Sequence, residues 1–418
     1  MSAILHLASV DYGGAGRASL RVHQALMRNG VASRLLVRDS RSGVAGVHAV
    51  SSTQPRLRLP RKVLQVAMRR IRFSERFHMY SVADRTFLGD CTGIQSDGFR
   101  PQAILLHWVA DFVSLSDIER LHEQYSCPVF WYCMDMAPLT GGCHFSWECD
   151  QYEAECGACP AAKGSSARRQ VNAYFAEKSR VVQRRGVRAL APNRWVQSQI
   201  ARSALPFGEA PLCYLPVDER VFCPSAGPPA SPGPGFRVFF ASSFDADERK
   251  GSHLFEQVLQ SLESMLLAGG RDPAEILVCH PGPVSDRLSA RLRIRFESVP
   301  FAESEHDLAV LYQSADCFVS ASIEDSGPMM VVEAMMAGCP VVAFDVGVAV
   351  ELVENGRSGF VVPIGDCEAM AAAMYQLSDM SKDEQEHYGR RARDAVLPIA
   401  ASQNFASRLM SALRLETG

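Results

Sequence analysis

No stretch of this chain reaches about 18 consecutive apolar residues, the length a membrane-spanning helix requires, so no transmembrane helix is expected. An excess of one charge is missing too. Against 46 Asp and Glu stand 43 Lys and Arg, a formal net charge of -3, which gives no case for a nucleic-acid partner. The opening MSAILHLASVDYGG has neither a basic n-region nor a small-residue cleavage site, and it reads as a first strand rather than a secretory leader. Short-period repeats and long low-complexity tracts are also lacking. Together these absences predict a cytoplasmic globular protein.

What is present fits that class. The chain has 418 residues, 47% apolar and 21% charged. That length predicts about two or three domains of ~150 residues, with ample core. Strand-like segments AILHLAS, SRLLVRD, AILLHW (103–108), PVFWYCM (128–134) and RALAP (188–192) alternate with helical or loop segments. The first helix is expected from about Ala18 to Asn29, where Gly30 stops it. The uncharged tract PSAGPPASPGPG (224–235) predicts a linker. Beyond it FRVFFASS, EILVCH, CFVSAS, CPVVAFD and GFVVP resume the alternation. The expected fold class is α/β, with two doubly wound, Rossmann-like domains over residues 1–223 and 236–395. Phe405, Leu409, Met410, Leu413 and Leu415 recur at roughly helical spacing and predict a closing helix within 396–418.

Three local patterns could carry chemistry. GGAGR (13–17) puts backbone N–H groups and a helix start at the carboxyl end of the first strand, a natural phosphate cradle around Gly14 and Gly16. As a dinucleotide fingerprint it would read Gly14-x-Gly16-x-x-Ser19, with Asp39 for the ribose. The third glycine is missing, so a nicotinamide-dependent oxidoreductase fits less well. In DERKGS (247–252), Arg249 and Lys250 follow a strand, where two cations suit a diphosphate; a plain surface turn would look the same. The segment IEDSGPMMVVEAMMAGCPVVAF (323–344) starts a helix at Gly327-Pro328, ends it at Gly338 and sets Glu333 among apolar neighbours. Such a carboxylate either emerges at the helix edge or is held by hydrogen bonds.

Two further segments depart from the average. From Arg56 to Arg76 eight basic residues and one acidic residue alternate with Leu, Val, Met, Ile and Phe. This fits an interfacial segment at an anionic membrane, a surface for an anionic acceptor, or a solvated helix face. Of the 13 cysteines, Cys143, Cys149, Cys156 and Cys159 cluster in a loop (141–160), with five, six and two residues between them and His144 adjacent. Three readings compete: a structural zinc, one or two disulfides, or four reduced thiols packing the loop. The metal is preferred because the loop is rich in Gly and polar residues and has little apolar surface to hold itself.

The segment YQSADCFVSASIEDSGPMMVVEAMMAGCPVVAFDVG (312–347) resembles the donor-binding signature of the retaining group 1 glycosyltransferases, family four. That signature has an acidic residue (here Asp325), seven residues, Glu-Ala (here Glu333-Ala334) and a Gly-x-Pro-Val-Val run. Tyr312, Ala315 and Asp316 match its upstream piece and VENGRSGFVVP (353–363) its downstream one. HLASVDYGGAGRASLRVHQALMRNG, APNRWV (191–196) and YLPVDERVFCP (214–224) extend the resemblance over nearly the whole chain. DMAPLTGGCHFSWECDQYEAECGACP (135–160) resembles the colanic-acid and exopolysaccharide branch, which has His-Asp-Met-Trp ahead of Thr-Gly-Gly-Cys-His. Here Met134 stands in place of that His, Asp135 is kept, and Val348 replaces the second glycine after FDVG.

The resemblance implies GT-B architecture, two Rossmann-like domains facing across a cleft, with the closing helix packed back on the N-terminal domain. It implies catalytic roles for Asp325, Lys250, Arg249 and Asp135, and donor contacts for Glu333, Gly327, Ser326, Met329, Gly14 and Gly16. Glu333 would accept hydrogen bonds from ribose hydroxyls, Asp325 would lie near the transferred sugar, and Lys250 and Arg249 would neutralise the diphosphate. The Gly-Pro helix start would point free N–H groups at the phosphates or sugar. The implied donor is a UDP- or GDP-linked sugar, used without a catalytic metal; no Asp-x-Asp pair stands beside the signature. The implied acceptor is a saccharide or polyprenyl-linked oligosaccharide of cell-surface polysaccharide synthesis, at the inner face of a membrane. Met134 keeps a catalytically degenerate nucleotide-sugar-binding protein as an alternative, and the shared architecture keeps an epimerase or hydrolase.

Overall fold

The structure, a computed structural model, describes residues 2–50, 67–79, 88, 98–225, 235–242, 248–282 and 290–415. It divides into two compact units, Met1–Pro216 with Gln403–Gly418, and Val217–Ser402. In the first, the parallel strands β1 (Ala3–Val10), β2 (Ala32–Asp39), β3 (Val47–Ala49), β4 (Ala103–Leu106), β5 (Val129–Tyr132) and β6 (Arg188–Leu190) lie in the order β3-β2-β1-β4-β5-β6. β4 and β5 are buried along their whole length, as continuous apolar runs are when helices cover both faces. The connecting helices are Gly13–Arg28, Leu115–Tyr125, Ser165–Arg185 and Arg194–Arg202. The order reverses between β1 and β4, so the carboxyl ends of these two strands diverge and leave room for a ligand.

The second unit repeats the plan. β7 (Phe236–Phe240), β8 (Ile276–Pro281), β9 (Arg295–Val299), β10 (Cys317–Ser320), β11 (Val341–Phe344) and β12 (Gly359–Val362) are parallel in the order β12-β11-β10-β7-β8-β9. The reversal here falls between β7 and β10. Helices Ser252–Ala268 and Cys367–Asp379 bury Phe255, Val258, Leu262, Met370 and Met374 in a core with Val238, Phe240 and Val319. Helices Glu305–Gln313 and Met329–Met336 carry the residues of interest, and Lys382–Ala400 packs against Met329–Met336.

Three features differ from the sequence reading. The first helix begins at Gly13, not near Ala18, because the glycine turn is its first turn. Gly16 permits this: a Cβ there would come 2.8 Å from the Val10 carbonyl oxygen. β3 and β9 were not expected, and both are polar edge strands with little apolar pattern. The division between units falls at 216/217 and 402/403, so residues 217–223 and 396–402 belong to the second unit. Val217 and Ala401 form a bridge, Arg393 donates to the carbonyls of Phe222 (2.8 Å) and Glu219 (3.1 Å), and the Glu219 carboxylate accepts from Ser402 N–H (2.7 Å). Most of the expected linker, residues 226–234, lies outside the described residues, as do residues 56–66 of the basic segment. The closing helix, Phe405–Leu413, belongs to the first unit and lies against Gly13–Arg28. Among the described residues no helix is long and apolar enough to cross a membrane.

Candidate functional site

In the second unit the chemistry gathers where β7 and β10 diverge. Lys250 Nζ lies 2.8 Å and Arg249 Nη1 3.1 Å from Asp325 Oδ2. Arg249 also donates to the Glu324 carbonyl (3.1 Å), and Ile323 N–H donates to the Arg249 carbonyl (2.9 Å), so the loops after the two strands are laced together. Gly251 makes this approach feasible. Its φ is +66°, and a Cβ there would sit 1.8 Å from the Ala321 carbonyl oxygen. Burial alone would push the Asp325 carboxyl up, but the Lys250 and Arg249 cations outweigh it and hold the group below its ordinary 3.8. The turn that follows is braced by Gly347, whose missing Cβ would come 3.0 Å from the Asp325 carbonyl oxygen and 3.1 Å from Pro328. Val348 beside it is buried at the start of helix Ala349–Leu352.

Ser326 is buried within this turn, and Met329 opens the helix after Pro328. The Gly327 N–H does not point free, as expected from the Gly-Pro start; it is donated to Asp325 Oδ1 at 3.2 Å. The turn closes on its own carboxylate because Asp at such a position readily accepts from the backbone two residues on. Glu333, 4% exposed, lies one turn into the helix. Its Oε2 accepts from the Tyr312 hydroxyl at 3.0 Å, and Tyr312 packs on Phe222, Phe239 and Phe318. The carboxylate is thus buried and held rather than emerging at a helix edge, and Tyr312, matched in the sequence only as part of a motif, is what holds it.

The first unit carries a second cluster beyond β4 and β5. Asp135 Oδ1 accepts from Ala137 N–H (2.9 Å), and its Oδ2 lies 2.6 Å from His144 Nδ1. Trp108, Trp131, Met134, Asp135, His144 and Lys178 line one cavity. Lys178 is 1% exposed; its ammonium donates to the carbonyls of Ala137 (2.6 Å) and Thr140 (2.7 Å) and lies over the Tyr174 and Trp131 rings. Burial brings it down to about 8. Neither His144 nor Lys178 was singled out as functional from the sequence; the only signal was the CHF triplet after the Gly-Gly pair. Gly14 has open space around it, unlike Gly16. Asp39, the ribose candidate of the dinucleotide reading, accepts from the Tyr12 hydroxyl at 2.7 Å.

Cys143, Cys149, Cys156 and Cys159 line one small cavity with Phe77, Met79 and Tyr152, and all four are free thiols. Among the described residues no three His, Cys, Asp or Glu side chains are placed to share a metal ion, although all four sulfur-bearing residues gather around that one cavity. Burial pushes all four thiols up, Cys156 to about 12. The Gly141 N–H donates to the Cys156 sulfur at 3.2 Å.

Two doubly wound units of this kind define the GT-B class of fold. The chain is similar in structure to sucrose-phosphate synthase from Thermosynechococcus elongatus (TM-score 0.63, 14% identity, covering 99% of this chain and 98% of that one). It is likewise similar to Anabaena HepE, solved with UDP-glucose (TM-score 0.62, 16% identity, 99% and 100%). Residues 235–380 match the family described as "Glycosyl transferases group 1". In sequence the chain is similar to the putative colanic acid biosynthesis glycosyltransferase WcaL of Salmonella typhimurium, 28% identical over 191 residues, 43% of this chain and 46% of the relative. The protein of the same description from Escherichia coli K12 is 24% identical over 241 residues, 55% of this chain and 57% of the relative. The chain therefore spans about half the length of the curated relatives it matches.

Proposed function

We propose that this protein moves a sugar, with retention, from a nucleoside-diphosphate sugar to a saccharide or polyprenyl-linked acceptor in cell-surface polysaccharide synthesis. The observation that supports this most is the Lys250–Asp325–Arg249 cluster, set where β7 and β10 diverge and inside the segment that matches the glycosyltransferase family. On this reading Lys250 and Arg249 pass from Asp325 to the donor diphosphate, leaving the carboxylate to hold hydroxyls of the transferred sugar. Preorganised charge of this kind is often the largest catalytic contribution, about 3 kcal/mol per donor. Glu333 takes the ribose hydroxyls while Tyr312 steadies it, and Ser326, Gly327 and Met329 shape the turn around the sugar. The acceptor oxygen bonds the anomeric carbon on the face the diphosphate leaves, and the departing phosphate takes the hydroxyl proton.

The names of the colanic-acid relatives favour an exopolysaccharide acceptor, and the nucleotide sugar in HepE favours a UDP donor for a fold of this kind. Metal independence is part of the proposal. Asp245-Ala246-Asp247 lies just ahead of Arg249 in sequence but outside the described residues, so turnover after EDTA treatment is the relevant check. The test of the whole reading is a thermal-shift panel of UDP- and GDP-sugars, followed by nucleotide release with and without acceptor extracts. At least one donor should raise Tm and release nucleotide faster with acceptor. A panel in which no donor binds or turns over rejects the reading.

A further inference from the structure

At the outer edge of the first unit's sheet lies a cavity of about 450 Å³, within the range of small-molecule sites. It lies toward the amino ends of β5 and β6, whereas Asp135 follows the carboxyl end of β5. Arg188 opens β6 opposite Phe130, and its guanidinium carbon lies 5.3 Å from the centroid of that ring. Residues 206–211 form one wall. The Pro211 carbonyl accepts from Ala191 N–H (3.0 Å) and the Ala210 carbonyl from the Gln197 amide (2.8 Å). Arg414 ends helix Phe405–Leu413 with φ +56°, a left-handed position that glycine usually fills. Leu415 N–H fixes that end by donating to the Met410 carbonyl at 2.9 Å. The walls are therefore set by backbone, and an arginine stands where glycine would be easier.

Among the described residues, the side chains of Arg188, Arg414 and Glu209, all lining this cavity, have no hydrogen-bond or ion-pair partner. Two guanidinium forks suit a carboxylate or a phosphate. Glu209 would repel a bare anion but can accept from hydroxyls. Pro206 and Pro211 add apolar surface for the CH face of a ring. We propose that this cavity binds an anionic sugar: Arg188 and Arg414 take its carboxylate or phosphate, and Glu209 takes its hydroxyls. The ligand is either a free sugar phosphate or an acidic residue of a saccharide chain. None of these side chains belongs to the glycosyl-transfer site, so the two proposals stand or fall separately.

The full chain is titrated calorimetrically with glucose 6-phosphate, glucuronate, a hyaluronan tetrasaccharide, glucose and inorganic phosphate. At least one of the first three should bind about tenfold or more tighter than both glucose and inorganic phosphate. Tightest binding of glucose 6-phosphate assigns the site to a sugar phosphate; tightest binding of glucuronate or the tetrasaccharide assigns it to an acidic saccharide. Arg188→Gln and Arg414→Gly should each weaken that binding about tenfold. Glycine suits the left-handed φ at 414, so this variant keeps the turn and decides the matter if the other does not melt cooperatively. Lys250→Ala, in the second unit, should bind within about twofold of the unaltered chain. A loss in Lys250→Ala that the arginine variants do not share puts the ligand in the second unit and overturns the inference. So do glucose or inorganic phosphate binding as tightly as the anionic sugars, no binding by any of them, or affinity within about twofold in both arginine variants. Failure of every nucleotide sugar to bind rejects the glycosyl-transfer reading and leaves this site in place.

Discussion

Glu333 is tolerated inside an apolar helix because Tyr312 donates to it, whereas Asp325 is tolerated because two cations do. The two carboxylates therefore predict different failures. On the proposed donor-binding role, Glu333→Ala removes contacts made in both ground and transition states, and should raise donor Kd about 10-fold or more with a smaller change in kcat. On the proposed leaving-group role, Lys250→Ala removes charge needed as the diphosphate departs, and should lower kcat about 100-fold with little change in donor affinity. Equal kinetics for Lys250→Ala and the unaltered chain would remove the leaving-group role. Tyr312→Phe leaves a buried carboxylate oxygen without that donor and should cost about 1–3 kcal/mol in denaturant unfolding.

Among the elements, close backbone approaches set the geometry. A Cβ on Gly389 would meet the Gly338 carbonyl oxygen at 2.1 Å, where helix Lys382–Ala400 crosses the end of Met329–Met336. Gly389→Ala should therefore destabilise the second unit by about 1–3 kcal/mol, seen as a lower unfolding midpoint, and should shift the helix that holds Glu333. In the first unit, residues 67–72 are helical and leave Met68 (47%) and Ile71 (67%) exposed among Arg69, Arg70 and Arg72. Basic and apolar side chains together suit an anionic lipid surface. Flotation with phosphatidylglycerol vesicles should carry the chain upward at low salt and less at high salt, and Ile71→Glu should reduce it. Equal flotation of that variant, or none by the unaltered chain, would rule out this segment as the contact.

For the molecule as a whole, acid stability depends on three histidines in the first unit. His6 Nδ1 lies 3.0 Å from His107 Nε2, and His23 meets His6 edge-on. All three are buried. Burial, chiefly, lowers each below its ordinary 6.5, His107 to about 3. Unfolding lets them take up protons below about pH 6.5, so stability is full above that pH and is lost as pH falls towards 3. For His107 the slope is up to about 1.4 kcal/mol per pH unit across that window, and His6 and His23 add in the same direction. Denaturant titrations between pH 7 and 4.5 should show the fall, and His107→Gln should flatten it. The thiol loop makes a separate prediction: packed thiols alone would leave Tm unchanged on strong chelation, whereas a fall in Tm would reveal a bound metal.

How much of this could be read in advance follows from how local each cause is. Strand–helix alternation is local and repeats in every buried strand, so ten of the twelve strands among the described residues stood out; β3 and β9, polar at the sheet edges, did not. Asp325, Glu333 and the Arg249-Lys250 pair were visible because a turn and a helix start mark their places in sequence. That Arg249 and Lys250 reach Asp325, 75 and more residues away, depends on β7 and β10 being neighbours, and strand order is not a local property. His144 meets Asp135 only nine residues away, and the four cysteines gather around one cavity with Tyr152 and Met79, arrangements that depend on how the loop packs and not on spacing alone. The sequence by itself determined the α/β class and the two-unit plan, through periodicity and turn chemistry, and it set Asp325 at a turn and Glu333 within a helix. Only the tertiary structure decided which charges meet, because contacts between distant segments arise from sheet order and backbone approach.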